Sequence, residues 1–247
     1  MPSICAYHRP HSLDDAIALL TRPGVGSVVL GGGTRVVGAV RPVPVEVIDL
    51  QALGLGGIST GISAGGDRRL CFGAMATLAD VADDERVPDL LRDLARREAP
   101  STLRTLATVG GTVAEGDPDS QMLAGLLVFE ARVSLADAAG SRQVDLAELL
   151  KTGCGPAMVV TAVEIATDGA TAAARTGRTP ADVPIVAAIG RRAPGGPVRI
   201  ACTGVATTPV VVDDPGRLQP PGDFRGTATY RRHLATTLIG RVMEQLS

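Results

Sequence analysis

Two glycine-rich segments carry the residue types that could hold an anionic ligand. The first, Gly31-Gly32-Gly33-Thr34-Arg35, follows the apolar run Val28–Leu30, and the second is Thr108-Val109-Gly110-Gly111-Thr112, with Asp117 close behind. Because glycine lacks a Cβ atom and reaches positive φ, successive main-chain amides at such a turn can converge on a phosphate. The first segment is not a G-x-G-x-x-G motif, since Val36 stands at the third small position, and the chain has no Gly-Lys-Ser/Thr motif.

Taken together, the two segments fit a ligand with two phosphates and a ribose, such as a dinucleotide. Threonine hydroxyls flank the second glycine pair and can donate or accept hydrogen bonds, while the Asp117 carboxylate can accept them from a sugar. The alternative is that both segments are ordinary turns, because 30 of the 247 residues are glycine. The residues by themselves leave both interpretations open.

No other set of side chains predicts a metal or catalytic centre. The four cysteines are isolated from one another and form no Cys-x-x-Cys pair, so we expect small buried thiols in a reducing compartment. These are Cys5, Cys71, Cys154 and Cys202. His8 and His11 stand beside prolines without a carboxylate ligand nearby, and we expect them to be surface residues of an N-terminal arm.

Composition excludes several classes of partner. The chain has 24 basic and 26 acidic residues, for a net charge of −2, and only 2% aromatic residues, which argues against a nucleic-acid reader. The longest apolar stretch, around Leu123 to Phe129, is far shorter than the roughly 20 residues that span a membrane. The N-terminus lacks a basic segment followed by an apolar one. We therefore expect a cytoplasmic protein that has neither nucleic acid nor a membrane as partner.

Hydrophobic periodicity and turn residues predict the elements that position the glycine segments. Helices are predicted at 13–20 after the cap Ser12, from the capping box at Thr77, and at 88–98, 121–130 and 227–245. Strands are predicted at 28–30, 45–50, near Ile58 and Ile62, at 70–72 and 158–165, and in hairpins 132–136/143–144 and 185–192/198–205, with 171–179 as a loop. Since the elements do not alternate regularly as βαβ units, the predicted class is α+β.

In the order of its motifs, the sequence resembles the FAD-binding subunit of the molybdenum hydroxylases. This group includes xanthine dehydrogenase and aerobic carbon monoxide dehydrogenase. The resemblance covers nearly the whole chain, and the Thr-Val-Gly-Gly block is its most specific part. The matching segments are 30–34, Val47-Ile48-Asp49-Leu50, 102–112, Asp117-Pro118, Arg178-x-x-x-Asp182 with the strand 185–189, and Ala228-Thr229-Tyr230-Arg231-Arg232-His233-Leu234.

The resemblance implies a two-part FAD-binding fold with a shortened C-terminal domain. Residues 1–56 and 57–168 would be the two α+β subdomains that hold FAD, and 175–247 the small α+β C-terminal domain. The FAD diphosphate would lie on the first glycine loop, and main chain near Val160 beside the flavin ring. The cofactor-binding residues implied in this way are Leu30, Gly31, Gly32, Gly33, Thr34, Arg35, Val36, Thr108, Gly110, Gly111, Thr112, Asp117, Gln121 and Val160.

The resemblance also implies an electron relay. The family's flavin receives electrons from 2Fe-2S clusters of a small subunit, which are supplied by a molybdopterin large subunit, and passes them to NAD or another acceptor. No catalytic acid or base is needed, because the cofactor carries the redox chemistry. Two alternatives are a stand-alone FAD-dependent oxidoreductase on the same scaffold and a flavin-free structural subunit.

Several positions depart from the family pattern. Thr34-Arg35 stands where relatives often have a pair of neutral polar residues. Thr112 stands where they have asparagine, and Gln121 where many have aspartate. Each of these replacements keeps some capacity for hydrogen bonding. Ala174 stands where many relatives have a lysine near the flavin. If the Arg35 guanidinium faces the diphosphate, its charge should tighten binding. The alternative is that Arg35 is solvated.

Overall fold

Three β-sheets organise the chain in a computed structural model that describes residues 4–36, 38, 43–62, 68–177, 179 and 182–247. Helices and strands are intermixed, which confirms the predicted α+β class. Arg178 of the Arg178-x-x-x-Asp182 motif and the end of the glycine-rich stretch before Arg68 lie outside the described residues. No helix in the described part of the chain is long and apolar enough to cross a membrane.

The first sheet is parallel and ends at the first glycine segment. It consists of β1 (Ile4–His8), β2 (Ser27–Leu30) and β3 (Val45–Asp49), in the order β1-β3-β2. Helix α1 (Leu13–Leu20) begins after Ser12, whose Oγ accepts the amide of Asp15 at 3.1 Å, as predicted. His8, predicted to be a surface residue of an N-terminal arm, instead ends a strand, because the main chain of residues 4–8 pairs with β3. Since the strands are parallel, β2 and β3 end at the same edge of the sheet.

The second sheet is antiparallel throughout, with the order β4-β5-β8-β6-β7. Its strands are β4 (Ile58–Ile62), β5 (Arg68–Gly73), β6 (Arg132–Asp137), β7 (Gly140–Asp145) and β8 (Val159–Ala166). Six helices accompany it: α2 (Leu78–Asp83), α3 (Asp89–Glu98), α4 (Ser101–Arg104), α5 (Val109–Glu115), α6 (Gln121–Val128) and α7 (Leu146–Thr152). The capping box predicted at Thr77 is present, with Asp80 as its partner. Helices α4, α5 and α7 were not predicted.

The third sheet lies in the C-terminal part of the chain and packs against the last helix. Its antiparallel strands are β9 (Ala170–Arg175), β10 (Ala187–Arg192), β11 (Val198–Thr203) and β12 (Val210–Val211), in the order β12-β11-β10-β9, and the helix is α8 (Ala228–Leu246). The prediction of a loop at 171–179 is wrong for β9. Its alanine-rich sequence has weak strand propensity, but the strand pairs with β10 along its whole length.

Helix α6 joins the second and third sheets. All eight of its residues are buried, and Gly125 leaves room for the side chains of Leu91 and Leu94. From the third sheet, Arg199 Nε donates to the Leu127 carbonyl at 3.0 Å, and the Gly204 amide donates to the Pro118 carbonyl at 2.9 Å. Helix α6 and the segment that precedes it, which carries Asp117, are therefore bonded to the third sheet.

Candidate functional site

A cavity of about 430 Å³ opens between the end of β2, helices α4 and α5, and strand β8. Its volume lies in the range of small-molecule and cofactor sites. The cavity brings together all but two of the residues predicted to bind cofactor: Gly31, Gly32, Gly33, Thr34, Arg35, Val36, Thr108, Gly110, Gly111, Thr112, Asp117 and Val160. The two glycine segments, which are distant in the sequence, thus face one space.

Leu30 and Gln121 are the predicted residues that do not line this cavity. Leu30 is the last residue of β2, and its carbonyl accepts the Leu50 amide at 3.0 Å. Gln121 is the first residue of α6 and only 6% exposed. Leu30 directly precedes the first glycine segment, whereas Gln121 lies four positions beyond the lining residue Asp117.

The first glycine segment presents a row of unpaired amides. In the described part of the chain, none of the five main-chain amides from Gly31 to Arg35 donates a hydrogen bond to the protein. All five residues are partly or fully exposed and line the cavity. Gly33 has φ of 76°, a left-handed conformation that favours glycine. Successive free amides in such a turn form a concave site for an anion.

Glycine is also required here because another segment packs directly on the turn. A Cβ atom added to Gly32 would lie 1.5 Å from the Leu106 carbonyl oxygen, and one added to Gly31 would lie 2.9 Å from Thr108 Oγ1. The first glycine turn therefore rests on the chain that leads into α5. The two glycine segments, which both line the cavity, are thus in contact at this point.

The second glycine pair is helical, in contrast to the predicted loop. Gly110 and Gly111 lie in the first turn of α5, and Thr108 is the N-cap residue, whose Oγ1 accepts the Gly111 amide at 3.1 Å. The Val109 and Gly110 amides donate to the carbonyls of Ala76 and Ala74 at 2.9 and 2.8 Å. Each of these amides therefore has a protein acceptor, so this segment shapes the cavity without the free amides of the first one.

Arg35 and Asp117 join the two sides of the cavity rim. The Arg35 guanidinium donates to Asp117 Oδ2, and its Nε lies 3.9 Å from Glu115 Oε1. Among the described residues that line the cavity, Arg35 is the only cation. Its side chain is 62% exposed, so water screens the pair and its contribution to stability is small. The positive charge nevertheless adjoins the free amides of the same loop.

Glu98 is a cavity residue that the sequence analysis missed. It is the last residue of α3, and its Oε2 accepts the Met122 amide at 3.0 Å. Burial raises the pKa of Glu98, although hydrogen bonds from Ser120 and Met122 and the charge of Arg35 oppose this shift. No local motif marks Glu98, because its place depends on how α3 packs against α6.

The remaining wall is apolar and was also not predicted, apart from Val160. Ordinary aliphatic residues carry no motif, and only the packing of several elements brings them to one surface. They include Val29, Leu50, Met75, Leu78, Leu103 and Met158. Such a wall can cover a flat aromatic ring and exclude water from it.

The donor set fits FAD. A row of free amides and one guanidinium suits a diphosphate, while the apolar wall suits a ring system. Among the described residues, no group of three or more His, Cys, Asp or Glu side chains could hold a metal ion.

Residues 3–167 match the family described as FAD binding domain in molybdopterin dehydrogenase. The carbon monoxide dehydrogenase medium chain of Afipia carboxidovorans is 27% identical over an alignment of 296 positions that covers 99% of this chain and 97% of the relative. Because the alignment is longer than this chain of 247 residues, some positions of the relative have no counterpart here.

Solved structures agree with this match. A reconstituted CO dehydrogenase chain from Oligotropha carboxidovorans superposes with a TM-score of 0.84 at 26% identity and covers 100% of this chain and 98% of its own. A chain of quinoline 2-oxidoreductase from Pseudomonas putida 86 shares the fold, with a TM-score of 0.83 at 23% identity and coverage of 99% and 97%. The chain therefore belongs to the family of FAD-binding domains in molybdopterin dehydrogenases, as an FAD-binding subunit of a dehydrogenase of that type.

Proposed function

We propose that this chain holds FAD in the cavity between its two glycine segments and relays electrons from a 2Fe-2S partner to NAD or another acceptor. The observation that carries the proposal is the row of unpaired amides from Gly31 to Arg35, which line the cavity while the amides of α5 are satisfied within the protein. Water can solvate these exposed amides in a purely structural turn, but their position along one cavity beside the Arg35 guanidinium suits an anionic ligand. This argues against a flavin-free subunit.

Each part of the cavity has a separate task in this proposal. The free amides and the guanidinium of Arg35 would bind the diphosphate, while Thr112 and Asp117 offer groups to the sugar portions. The apolar wall, with Val160 on β8, would orient the ring and exclude water. When bound, FAD supplies the redox chemistry, so the protein needs to provide position and electrostatics only.

The relatives suggest the assembly. They are named as medium chains, one of carbon monoxide dehydrogenase and one of glyceraldehyde dehydrogenase from Sulfolobus acidocaldarius. A medium chain has other chains beside it, and we infer a 2Fe-2S small subunit and a molybdopterin large subunit as the partners of this protein. We also infer a cytoplasmic location, which the free state of all four cysteines supports.

The domain arrangement follows from the same proposal. Residues 1–56 and 57–168 would be the two halves that enclose FAD, and 175–247 the C-terminal domain. The three sheets follow one another along the chain in this order, which supports the division.

The test begins with the visible absorption spectrum of the purified chain, followed by denaturation and chromatography of any released cofactor. The proposal predicts flavin bands and released FAD, and then co-purification of iron and molybdenum from the protein's own cells. FAD with substrate oxidation in the absence of any partner would favour the stand-alone oxidoreductase. A colourless chain that takes up no added FAD would contradict both.

A further inference from the structure

The turn Asp223-Phe224-Arg225-Gly226, which precedes α8, presents an aromatic side chain to water. Phe224 is 98% exposed, whereas the other two phenylalanines, Phe72 and Phe129, are fully buried. The chain has only three Phe, two Tyr and no Trp. Among the large apolar side chains of the described residues, none is more exposed than Phe224.

This turn is held in one conformation by its neighbours. Asp223 and Gly226 exchange main-chain hydrogen bonds of 3.0 and 3.2 Å, and Asp223 Oδ1 accepts the Arg225 amide at 2.8 Å. The buried Arg231 donates to Asp223 Oδ2 at 2.6 Å and holds the pKa of Asp223 at about 2. A rigid turn loses little conformational freedom when its tip enters a partner.

The same turn is tied to the wall of the cofactor cavity. Arg225 Nη2 donates to Asp119 Oδ2 at 2.5 Å, and Asp119 follows the cavity residue Asp117 by two positions. The Asp119 amide donates to Asp117 Oδ1 at 2.9 Å, so the two carboxylates belong to one local structure. Phe224 is therefore next in sequence to an arginine that is bonded to the segment carrying the cavity residue Asp117.

We propose that Phe224 is an anchor residue that docks the 2Fe-2S subunit beside the cofactor cavity. This inference rests on the proposed relay, because the subunit that supplies electrons has to contact the chain close to the flavin. An exposed aromatic side chain on a preorganised turn suits an apolar pocket of a protein partner. Tyr230, which packs beside Gly226 of the same turn, is a second exposed aromatic residue, at 46%.

The test uses the complex purified from the protein's own cells through a tag on this chain. Wild type, Phe224→Ala, Phe224→Leu and the control Met243→Ala, which alters an exposed apolar residue of α8, are compared for iron and FAD per chain after dilution. Phe224→Ala should lower the iron content roughly tenfold at unchanged FAD content and thermal stability. Phe224→Leu should keep most of the iron, and Met243→Ala all of it.

Two results would overturn the inference. One would leave the proposed electron relay intact, and the other would contradict the relay as well. If wild type carries iron and Phe224→Ala carries the same amount, the docking role of Phe224 is wrong while the relay stands. If wild type carries FAD but no iron, the relay itself is wrong and the docking role falls with it. A change from dimer to monomer in Phe224→Ala at constant iron content would instead assign the residue to contact between two copies of this chain.

Discussion

The two glycine segments look alike in the sequence but solve different physical problems. In the first, from Gly31 to Arg35, the main-chain amides have no acceptor in the described part of the chain and face the cavity. In the second, Gly110 and Gly111 are helical and their amides are bonded within the protein. The first segment leaves main-chain donors free for a ligand, whereas the second lacks side chains, so that α5 can approach Ala74, the residue that follows β5. The same residue type thus supports binding in one place and packing in the other.

The largest effect should come from Gly32→Ala, because it breaks the contact between the two segments. The added Cβ would lie 1.5 Å from the Leu106 carbonyl oxygen, which is main chain and cannot move aside. We expect loss of FAD binding and a stability loss of roughly 3 kcal/mol, measured by FAD titration and thermal unfolding. Gly61→Ala is the control, because nothing lies within 4 Å of its added Cβ. Normal FAD binding by Gly32→Ala would show that the turn does not depend on this contact.

Gly110→Ala should show whether this glycine serves the packing of α5 against Ala74 or the binding of FAD. Its Cβ would lie 2.7 Å from Ala74 Cβ and 2.9 Å from the Ala74 carbonyl oxygen. Overpacking of this kind costs about 1–3 kcal/mol, while the free amides of the first segment remain. We therefore expect a lower melting temperature, with FAD affinity reduced far less than in Gly32→Ala. Loss of FAD affinity at unchanged stability would contradict the packing role of Gly110.

Thr108→Val tests the cap that begins α5. The substitution removes the hydroxyl that accepts the Gly111 amide but keeps the shape of the side chain. Loss of an N-cap costs about 1 kcal/mol, which thermal unfolding can detect. Thr108→Ser keeps the acceptor and should lie close to wild type. Equal losses in both variants would assign the effect to the methyl group instead of the cap.

Arg35→Ala should change binding more than folding. The pair with Asp117 is largely exposed, so we expect a stability change below about 1 kcal/mol. FAD affinity should fall by roughly fivefold, an energy of about 1 kcal/mol, and the loss should shrink at high salt because the charge is screened. Arg35→Lys, which keeps the charge, should recover part of the affinity. Unchanged FAD affinity in Arg35→Ala would show that its guanidinium does not contribute to the diphosphate site.

The smallest effect concerns pH and the carboxyl group of Glu98. Burial raises its pKa above the ordinary value of 4.5, so the folded protein holds this proton more tightly than the unfolded chain. This stability contribution is complete below the unfolded pKa and is lost as pH rises through the raised folded value. Thermal unfolding should therefore show a decline of stability with pH above 4.5 that is weaker in Glu98→Gln. The same slope in both proteins would contradict the shift.

Local patterns predicted those elements whose signal lies within a few residues. The spacing of Tyr230, Leu234, Leu238 and Val242 indicated α8, and the capping residues marked the starts of α1 and α2. Helix α5 could not be predicted, because two adjacent glycines disfavour a helix and its stability comes from contacts with Ala74 and Ala76.

The residues of the candidate site that belong to sequence motifs could be predicted. Those that reach the cavity only through tertiary packing could not. The glycine segments and Asp117 carry sequence signals, Val160 was implied by the family resemblance, and all of them line one cavity. Glu98 and the apolar wall reach the cavity through tertiary packing, which leaves no local trace. The Arg35–Asp117 pair, 82 residues apart, likewise follows from the fold alone.

The most direct test of the account is the FAD content of a variant that fills the cavity without disturbing the core. Ala114 lines the cavity from an exposed position of α5, so Ala114→Trp should narrow it at little cost in stability. Ala138→Trp, in the exposed turn between β6 and β7, is the control. Released FAD, measured by chromatography, should be stoichiometric in wild type and Ala138→Trp and strongly reduced in Ala114→Trp. Stoichiometric FAD with unchanged affinity in Ala114→Trp would place the cofactor elsewhere and contradict the central claim.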